Sequence, residues 1–219
     1  MRTMGRLRGL QKWVTENLCE GREMKAPAPN MDIGQIVRQT PQCYLAWAPA
    51  RLDTTGRLQE DPVSVCPGII IMPSQSFAKY TEEKRHDRMN NIMRPERLRR
   101  HLSVSILFCV YEPGTRLKGF IDSVGEKGRG LDMTLIEEGT EQGLVTLFDW
   151  IDDGIEALIG ARTIPGTDLY LEEDSMTYSL YTDQSYVVDR RPIYYGFINA
   201  TFGCYSEEKP NKTINELLI

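Results

Sequence analysis

The sequence predicts an α+β domain with one antiparallel-rich mixed sheet and two amphipathic helices packed on it. Apolar residues recur at spacings of three and four in one segment near the start of the chain and in another after its midpoint. The segments between and after these two are rich in β-branched and aromatic residues, which is typical of strands. The resulting order is a helix, three strands, a helix and two or three strands, which fits helices segregated onto a sheet.

Length and composition restrict the possible classes of protein. A chain of 219 residues with 41% hydrophobic and 26% charged residues has ordinary globular composition. We expect a single domain over 1–205, with long loops at 79–101 and 112–132 and a polar tail at 206–219. The net charge of −5 argues against a protein-wide face for DNA. The longest apolar run, "GIIIM", is too short to cross a membrane, so no membrane partner is expected.

The cysteines predict reduced thiols, as in intracellular proteins. There are five, which is an odd number, and they are widely spaced: Cys19, Cys43, Cys66, Cys109 and Cys204. No two of them form a Cys-x-x-Cys pair, so the sequence suggests neither a disulfide framework nor a zinc site.

The first helix is predicted to begin near Thr3, a candidate cap, and to end near Gly21. Four apolar residues line one face at helical spacing: Leu7, Leu10, Val14 and Leu18. The segment "KAPAPN" that follows ends regular structure, because proline cannot join a helix interior.

Three strands are predicted next, at 43–49, 63–73 and 101–113. Pro67 lacks a backbone donor, so we expect the second strand to be interrupted, bulged or at an edge there. The polar segment "LDTTGRLQED" between the first two strands predicts a hairpin connection.

The strand at 101–113 has the clearest pattern. One of its faces is wholly apolar and should point into the core: Leu102, Val104, Ile106, Phe108 and Val110. Ser103 and Ser105 begin the other face, which then turns apolar at Leu107, Cys109 and Tyr111, so we expect that half to be covered on both sides.

The second helix carries a wide apolar stripe and ends near Gly160. The stripe consists of Leu144, Leu147, Phe148, Ile151, Ile155, Leu158 and Ile159. The segments "DLYLEE", "MTYSLYT" and "IYYGFINATFGCY" predict the remaining strands. In the last of them, alternation divides the side chains between two faces: Tyr194, Ile198, Phe202 and Cys204 on one, and Tyr195, Phe197, Asn199 and Thr201 on the other.

The segment 79–101 is the most basic part of the chain, with eight lysines and arginines against four acidic residues. Its densest part contains Arg94, Arg97, Arg99 and Arg100. These side chains could bind nucleic-acid phosphates, meet an acidic face of a neighbouring copy, or lie in a solvated hairpin loop. Stacking aromatics are not interleaved as a single-strand binder would need them, which favours protein contact over nucleic acid.

The second helix also gathers carboxylates in the sequence "FDWIDDGIEA", at Asp149, Asp152, Asp153 and Glu156. Asp149, Asp152 and Glu156 share one helix face, and three carboxylates can hold a divalent cation, as a small metal-dependent hydrolase would require. The alternatives are a solvated helix face or a contact with arginines of another subunit. Neither of the two histidines, His86 and His101, has a partner at metal-ligand spacing, so we expect no metal, cofactor or catalytic residue.

The element order and the closing "RRPIYYGFINATFG" resemble the tail terminator, or tail-completion, proteins of tailed bacteriophages and phage-tail-like particles. The matching pieces are "LRGLQKWVTENL" as the first helix, "LFDWIDDGIEALI" as the second and "PIYYGFINATF" as the final strand. The resemblance extends over about residues 4 to 205, and the long segments 79–101 and 112–132 depart from a minimal member of the family.

The resemblance implies a structural protein without enzymatic activity. Its copies would form a ring, usually a hexamer, that caps the tail tube, ends tube polymerisation and joins the tail to the neck. The implied partners are other copies, the tail tube protein, the sheath protein and the neck or connector protein, while DNA only passes through the lumen. The ring would assemble in the host cytoplasm and remain in the tail of the virion or phage-like particle. We expect the basic and acidic residues named above to serve as contacts, together with Arg190 and Arg191 at the entry of the final strand.

Overall fold

The computed structural model of the chain describes residues 2–27, 36–46, 51–52, 58–59, 66–81, 97–112, 133–172, 174–183, 186–187 and 192–205. Within them, helix α1 (Thr3–Val14) continues as a π-helical turn (Thr15–Cys19), and helix α2 (Met133–Ala161) lies in the second half of the chain. The strands are β1 (Met24–Pro27), β2 (Ile36–Gln39), β3 (Gln42–Leu45), β4 (Arg51–Leu52), β5 (Leu58–Gln59), β6 (Gly68–Pro73), β7 (Phe77–Thr81), β8 (Arg97–Tyr111), β9 (Tyr170–Leu171), β10 (Thr177–Leu180), β11 (Thr182–Asp183), β12 (Tyr186–Val187) and β13 (Ile193–Tyr205).

A seven-stranded sheet has the order β10-β13-β8-β6-β3, with β7 also paired to β8 and β9 also paired to β13. The two longest strands, β8 and β13, pair antiparallel from Ile193 opposite Tyr111 to Tyr205 opposite Arg99. β3 and β6 pair parallel. β6 and β7 each pair antiparallel with β8, and β9 and β10 each pair antiparallel with β13. The prediction of an α+β fold with an antiparallel-rich mixed sheet and two helices is therefore confirmed.

Both helices pack on the same face of this sheet and enclose the main core. The predicted inward-facing residues of β8 are all buried there, as are Ile198 and Phe202 of β13. From the helices the core receives Leu7, Leu10, Trp13, Val14, Leu18, Leu147, Trp150, Ile151 and Leu158. The helical spacing in the sequence thus predicted the buried faces of both helices, although Ile159 is exposed rather than part of the core.

Contacts of Trp150 and Gly154 fix how α2 lies on the sheet. The Trp150 ring meets Phe108 edge to face, with 5.3 Å between ring centroids and 78° between planes, a favourable aromatic arrangement. A Cβ atom at Gly154 would come within 3.0 Å of Phe108 Cζ and 3.1 Å of Ile198 Cδ1. A larger residue at 154 would require these side chains to shift by a few tenths of an ångström, so glycine suits this close approach of α2 to the sheet. The approach turns the opposite side of α2 away from the sheet.

The ends of α1 differ slightly from the prediction. Thr3 is the first residue of the helix rather than its cap, because Arg2 occupies the cap position and makes no capping side-chain hydrogen bond. At the other end, Gly21 follows the π-helical turn with a φ of +78°, a conformation in which glycine avoids the strain of a Cβ atom. Gly21 therefore marks the end of the helical segment as predicted.

Two predicted connections are corrected by strand pairing. The segment "KAPAPN" begins inside a strand, because β1 pairs antiparallel with β2, and Pro27 takes the last position of β1. β3 and β6 do not form the predicted hairpin, because they pair parallel. Within the stretch that joins them, β4 and β5 pair antiparallel with each other. β6 begins at Gly68, directly after the cis peptide bond between Cys66 and Pro67.

The prediction that all cysteines are reduced is wrong for one pair. Cys66, two residues before the start of β6, forms a disulfide with Cys109 of the neighbouring strand β8. The two cysteines are 43 residues apart, so the sequence gives no local signal of their pairing. They come together because Gly68, two residues after Cys66, lies opposite Cys109 in the sheet register. Cys19, Cys43 and Cys204 are free.

Candidate functional site

The acidic residues predicted as an interface lie on the side of α2 that faces away from the sheet. Asp149, Asp152, Asp153 and Glu156 are all exposed. Asp153 forms an ion pair with Arg22 of the same chain. Within the described residues, the other three carboxylates make no ion pair.

The exposed side of α2 forms a continuous row, which we call the acidic stripe: Val145, Asp149, Asp152, Glu156 and Ile159. Their spacings of four, three, four and three place them along one side of the helix. The whole helix contains seven acidic residues and no lysine or arginine. Like charges at such spacings repel by roughly 0.2–0.5 kcal/mol per pair, and no base on this helix relieves the repulsion.

Helix α1 has the opposite charge. It contains three basic residues and no acidic residue. Its exposed side, which we call the basic stripe, consists of Met4, Arg8 and Lys12. The Lys12 Nζ atom lies 3.6 Å from Glu16 Oε1, but both side chains are largely exposed, so this pair contributes little.

The third basic residue of α1, Arg6, points into the protein and is 2% exposed. Its Nε atom donates to Asp168 Oδ1 at 2.8 Å and its Nη2 atom to Asp168 Oδ2 at 2.6 Å. These hydrogen bonds hold the pKa of Asp168 below its usual value. The bidentate pair connects α1 to the segment that follows α2, and this connection fixes which side of α1 faces solvent.

A cleft of about 210 Å³ opens beside Arg6 and is lined by Thr3, Arg6, Ser76, Arg100, His101, Leu102 and Cys204. Arg100 is the one residue of the predicted basic set whose side chain lies in the described part of the structure, and it is exposed. The guanidinium of Arg6 is already paired with Asp168, so the cleft combines one neutralised cation with one exposed cation.

The ends of the basic segment 79–101 come together in the pairing of β7 with β8, from Phe77 opposite His101 to Thr81 opposite Arg97. Arg97 and Arg99 are residues of strand β8. Arg94, Arg190 and Arg191 lie outside the described residues, and so does the loop from 113 to 132.

The sheet face opposite the helices, which we call the outer face, has its own apolar cluster. Ile70 and Leu107 are buried at its centre, and four partly exposed side chains surround them: Tyr44, Met72, Tyr195 and Phe197. As far as the described residues extend, neither helix contributes to this cluster. The predicted division of β13 into two faces is confirmed by its register, in which Phe197 lies opposite Leu107.

The remainder of the outer face is polar. Ser105 Oγ donates to Asn199 Oδ1 at 2.6 Å, and the hydroxyls of Ser103 and Thr201 lie 3.0 Å apart. At the end of this row, His101 Nδ1 is 2.5 Å from Glu172 Oε1. The outer face therefore changes from apolar to polar along the direction of β8 and β13.

The described residues contain neither a cluster of metal ligands nor a free thiol with a lowered pKa. They contain no group of three or more histidine, cysteine or acidic side chains that could hold a metal ion. Burial raises the pKa of the Cys19 thiol to about 11 and that of Cys43 to about 12, and it also raises the pKa of Cys204. Thiols with such pKa values are almost fully protonated near neutral pH and make poor nucleophiles.

Sequence reasoning missed two partly buried ionic contacts. One is the pair of Arg6 and Asp168, for which the only available signal was a basic residue on the apolar side of α1. The other joins Lys25 Nζ to Glu112 Oε1 at 2.5 Å, where Glu112 is 5% exposed. Both pairs join residues far apart in the chain, and the partners could be identified only from the fold.

No protein-family model and no curated protein sequence matches this chain. No helix in the described residues is both long enough and apolar enough to span a membrane.

Proposed function

We propose that this protein is a structural subunit of a phage tail or phage-like tail. Its copies form a ring that caps the tail tube, ends tube polymerisation and joins the tail to the neck. The partners are other copies of the chain, the tube and sheath proteins and the neck or connector protein. The subunit acts without catalysis, in the host cytoplasm during assembly and then in the mature tail.

The order of elements supports this proposal. The segments that carry the resemblance to tail terminators form α1 with its π-helical turn, part of α2 and most of β13. These are the first helix, the second helix and the final strand that a terminator subunit is expected to have. The fold alone does not define a function, so the proposal also needs a surface suited to assembly.

The outer face is the observation that carries the proposal. A two-layer domain normally buries its apolar surface between the layers, yet Tyr195 and Phe197 lie partly exposed on the face opposite both helices. Partly exposed aromatic side chains around a buried centre resemble the composition of protein interfaces more than that of an ordinary surface. A ring that stacks on a tube needs such a face, because axial stacking requires a surface distinct from the contacts within the ring.

Reconstitution with purified proteins tests the proposal. Light scattering after size exclusion and negative-stain electron microscopy should show closed rings, and adding them to polymerising tube protein should shorten the tubes. Monomers at concentrations of tens of micromolar, together with tubes of unchanged length, would contradict the proposal. A metal-dependent hydrolase activity lost in Asp152→Ala, or sequence-independent nucleic-acid binding, would support the alternative functions instead.

A further inference from the structure

The geometry points to a specific contact within the ring: the basic stripe of one subunit docks on the acidic stripe of the next. This inference rests on the proposed function, since it names the two surfaces that a head-to-tail ring would join. The occupant of the acidic stripe is thus a second copy of this chain.

The acidic stripe breaks a local rule of helix stability. Asp152 and Glu156, four residues apart, repel each other, and so do Asp149 and Asp152, three residues apart. Surface helices normally place bases at these spacings, but α2 has none. Arg22 compensates only Asp153. An arrangement that is unfavourable within the subunit, and that no base among the described residues compensates at Asp149, Asp152 or Glu156, is expected where a partner provides the opposite charge.

The ends of the acidic stripe are apolar. Val145 and Ile159 are 45% and 52% exposed, although the helix has a buried face that could have taken such side chains. Carboxylates bounded by exposed aliphatic side chains fit a partner helix better than they fit free solvent, because apolar contact provides affinity while charge fixes register.

The basic stripe of α1 has the complementary character. Arg8 and Lys12 lie one turn apart on the exposed side, and Met4, 54% exposed, precedes them by one further turn. The bidentate contact of Arg6 with Asp168 prevents α1 from rotating to bury them. The stripe therefore has a fixed orientation before any partner arrives, which lowers the entropy lost on association.

The two stripes also occupy different parts of the subunit, as a head-to-tail contact requires. Gln11 Nε2 of α1 donates to the carbonyl oxygen of Cys43 at 2.9 Å, which places α1 over β3 at one edge of the sheet. Helix α2 packs on β13 and β8, where Gly154 lies against Phe108 and Ile198. Two different complementary surfaces on each copy generate a ring when the rotation between copies closes.

Charge exchange between the stripes tests the inference. One variant reverses the acidic stripe (Asp149→Lys, Asp152→Lys, Glu156→Lys), a second reverses the basic stripe (Arg8→Glu, Lys12→Glu), and a third combines all five changes. Sedimentation velocity at low and high salt measures assembly, and circular dichroism verifies that each variant folds. Glu20→Lys and Arg38→Glu, on exposed residues outside both stripes, serve as matched controls.

Either reversal alone should raise the concentration needed for ring formation by at least about tenfold at low salt, while the combined variant and the controls assemble. The loss should be smaller at high salt, where charges are screened. If wild-type rings form and both reversed variants assemble equally well, the stripes are not the contact, although the ring proposal stands. Reversed variants that fail to assemble and are not rescued by combining them also contradict the pairing. A wild-type protein that stays monomeric overturns both proposals.

Discussion

Trp150 offers the most direct test of how α2 and α1 are held together. The indole Nε1 atom donates a hydrogen bond to the carbonyl oxygen of Leu18 at 3.0 Å. Leu18 belongs to the π-helical turn after α1, where carbonyl oxygens lack partners from the following turn. Because Leu18 is buried, water cannot replace the indole as donor. We therefore expect this single hydrogen bond to stabilise the end of the first helical segment.

Trp150→Phe keeps an aromatic ring against Phe108 but removes the donor. The buried carbonyl then lacks a partner, which costs about 1–3 kcal/mol, and the smaller ring adds roughly 1 kcal/mol of lost packing. The free energy of unfolding, measured by urea denaturation, should fall by about 2–4 kcal/mol. Trp150→Ala should cost about 3–5 kcal/mol or more, because it also leaves a cavity.

Trp13→Phe is the matched control for this prediction. Trp13 is also buried in the main core, but among the described residues its indole nitrogen makes no hydrogen bond. Its replacement should therefore cost only the packing loss of roughly 1 kcal/mol. Equal losses for the two substitutions would refute the reasoning, since the hydrogen bond to Leu18 would then contribute nothing.

Three further predictions concern acid stability, thiols and the outer face. Folding lowers the pKa of Asp168 from its ordinary value of 3.8, so the ionised carboxylate stabilises the fold fully above that pH, and this stabilisation is lost as the pH falls through the folded pKa. Below about pH 4, the melting temperature of Asp168→Asn should therefore depend less on pH than that of the wild-type protein. Titration of the unfolded, unreduced protein should find three free thiols, and five after reduction, whereas five before reduction would exclude the disulfide. Phe197→Ser should reduce binding to the tail tube, measured by co-sedimentation, while rings still form; unchanged binding would remove the outer face from the stacking role.

Local sequence patterns were sufficient for the elements that dominate the fold. The alternation in β8 identified its inward face, and the alternation in β13 divided its side chains correctly between two faces, because side-chain direction in a strand follows directly from position. The helical spacing of apolar residues did the same for α1 and α2. In both cases the signal lies within one element, and no knowledge of neighbours is needed.

Features that depend on neighbours could not be predicted. The parallel pairing of β3 with β6 depends on the path of the chain between them, which the pattern within either strand does not determine. The contact of Arg6 with Asp168 and the disulfide between Cys66 and Cys109 join residues that are far apart in the chain. From residue types alone, each of these residues has many possible partners. For the candidate site, the sequence identified the carboxylates of α2, but only the structure showed which of them Arg22 already neutralises.

The unfavourable features of the single subunit are related to one another. Repulsion along the acidic stripe and partial exposure of Tyr195 and Phe197 both cost stability in an isolated chain. A stripe on the helical layer can be relieved by a neighbour within the ring, whereas the outer face lies on the opposite side of the sheet and needs a different cover. Under the proposed function, these two surfaces on opposite sides of one sheet would serve two kinds of contact, one between subunits of the ring and one between the ring and the structure on which it stacks. A dimer that covered only the acidic stripe or only the outer face would leave the other of these two surfaces uncovered, and the subunit would remain destabilised there.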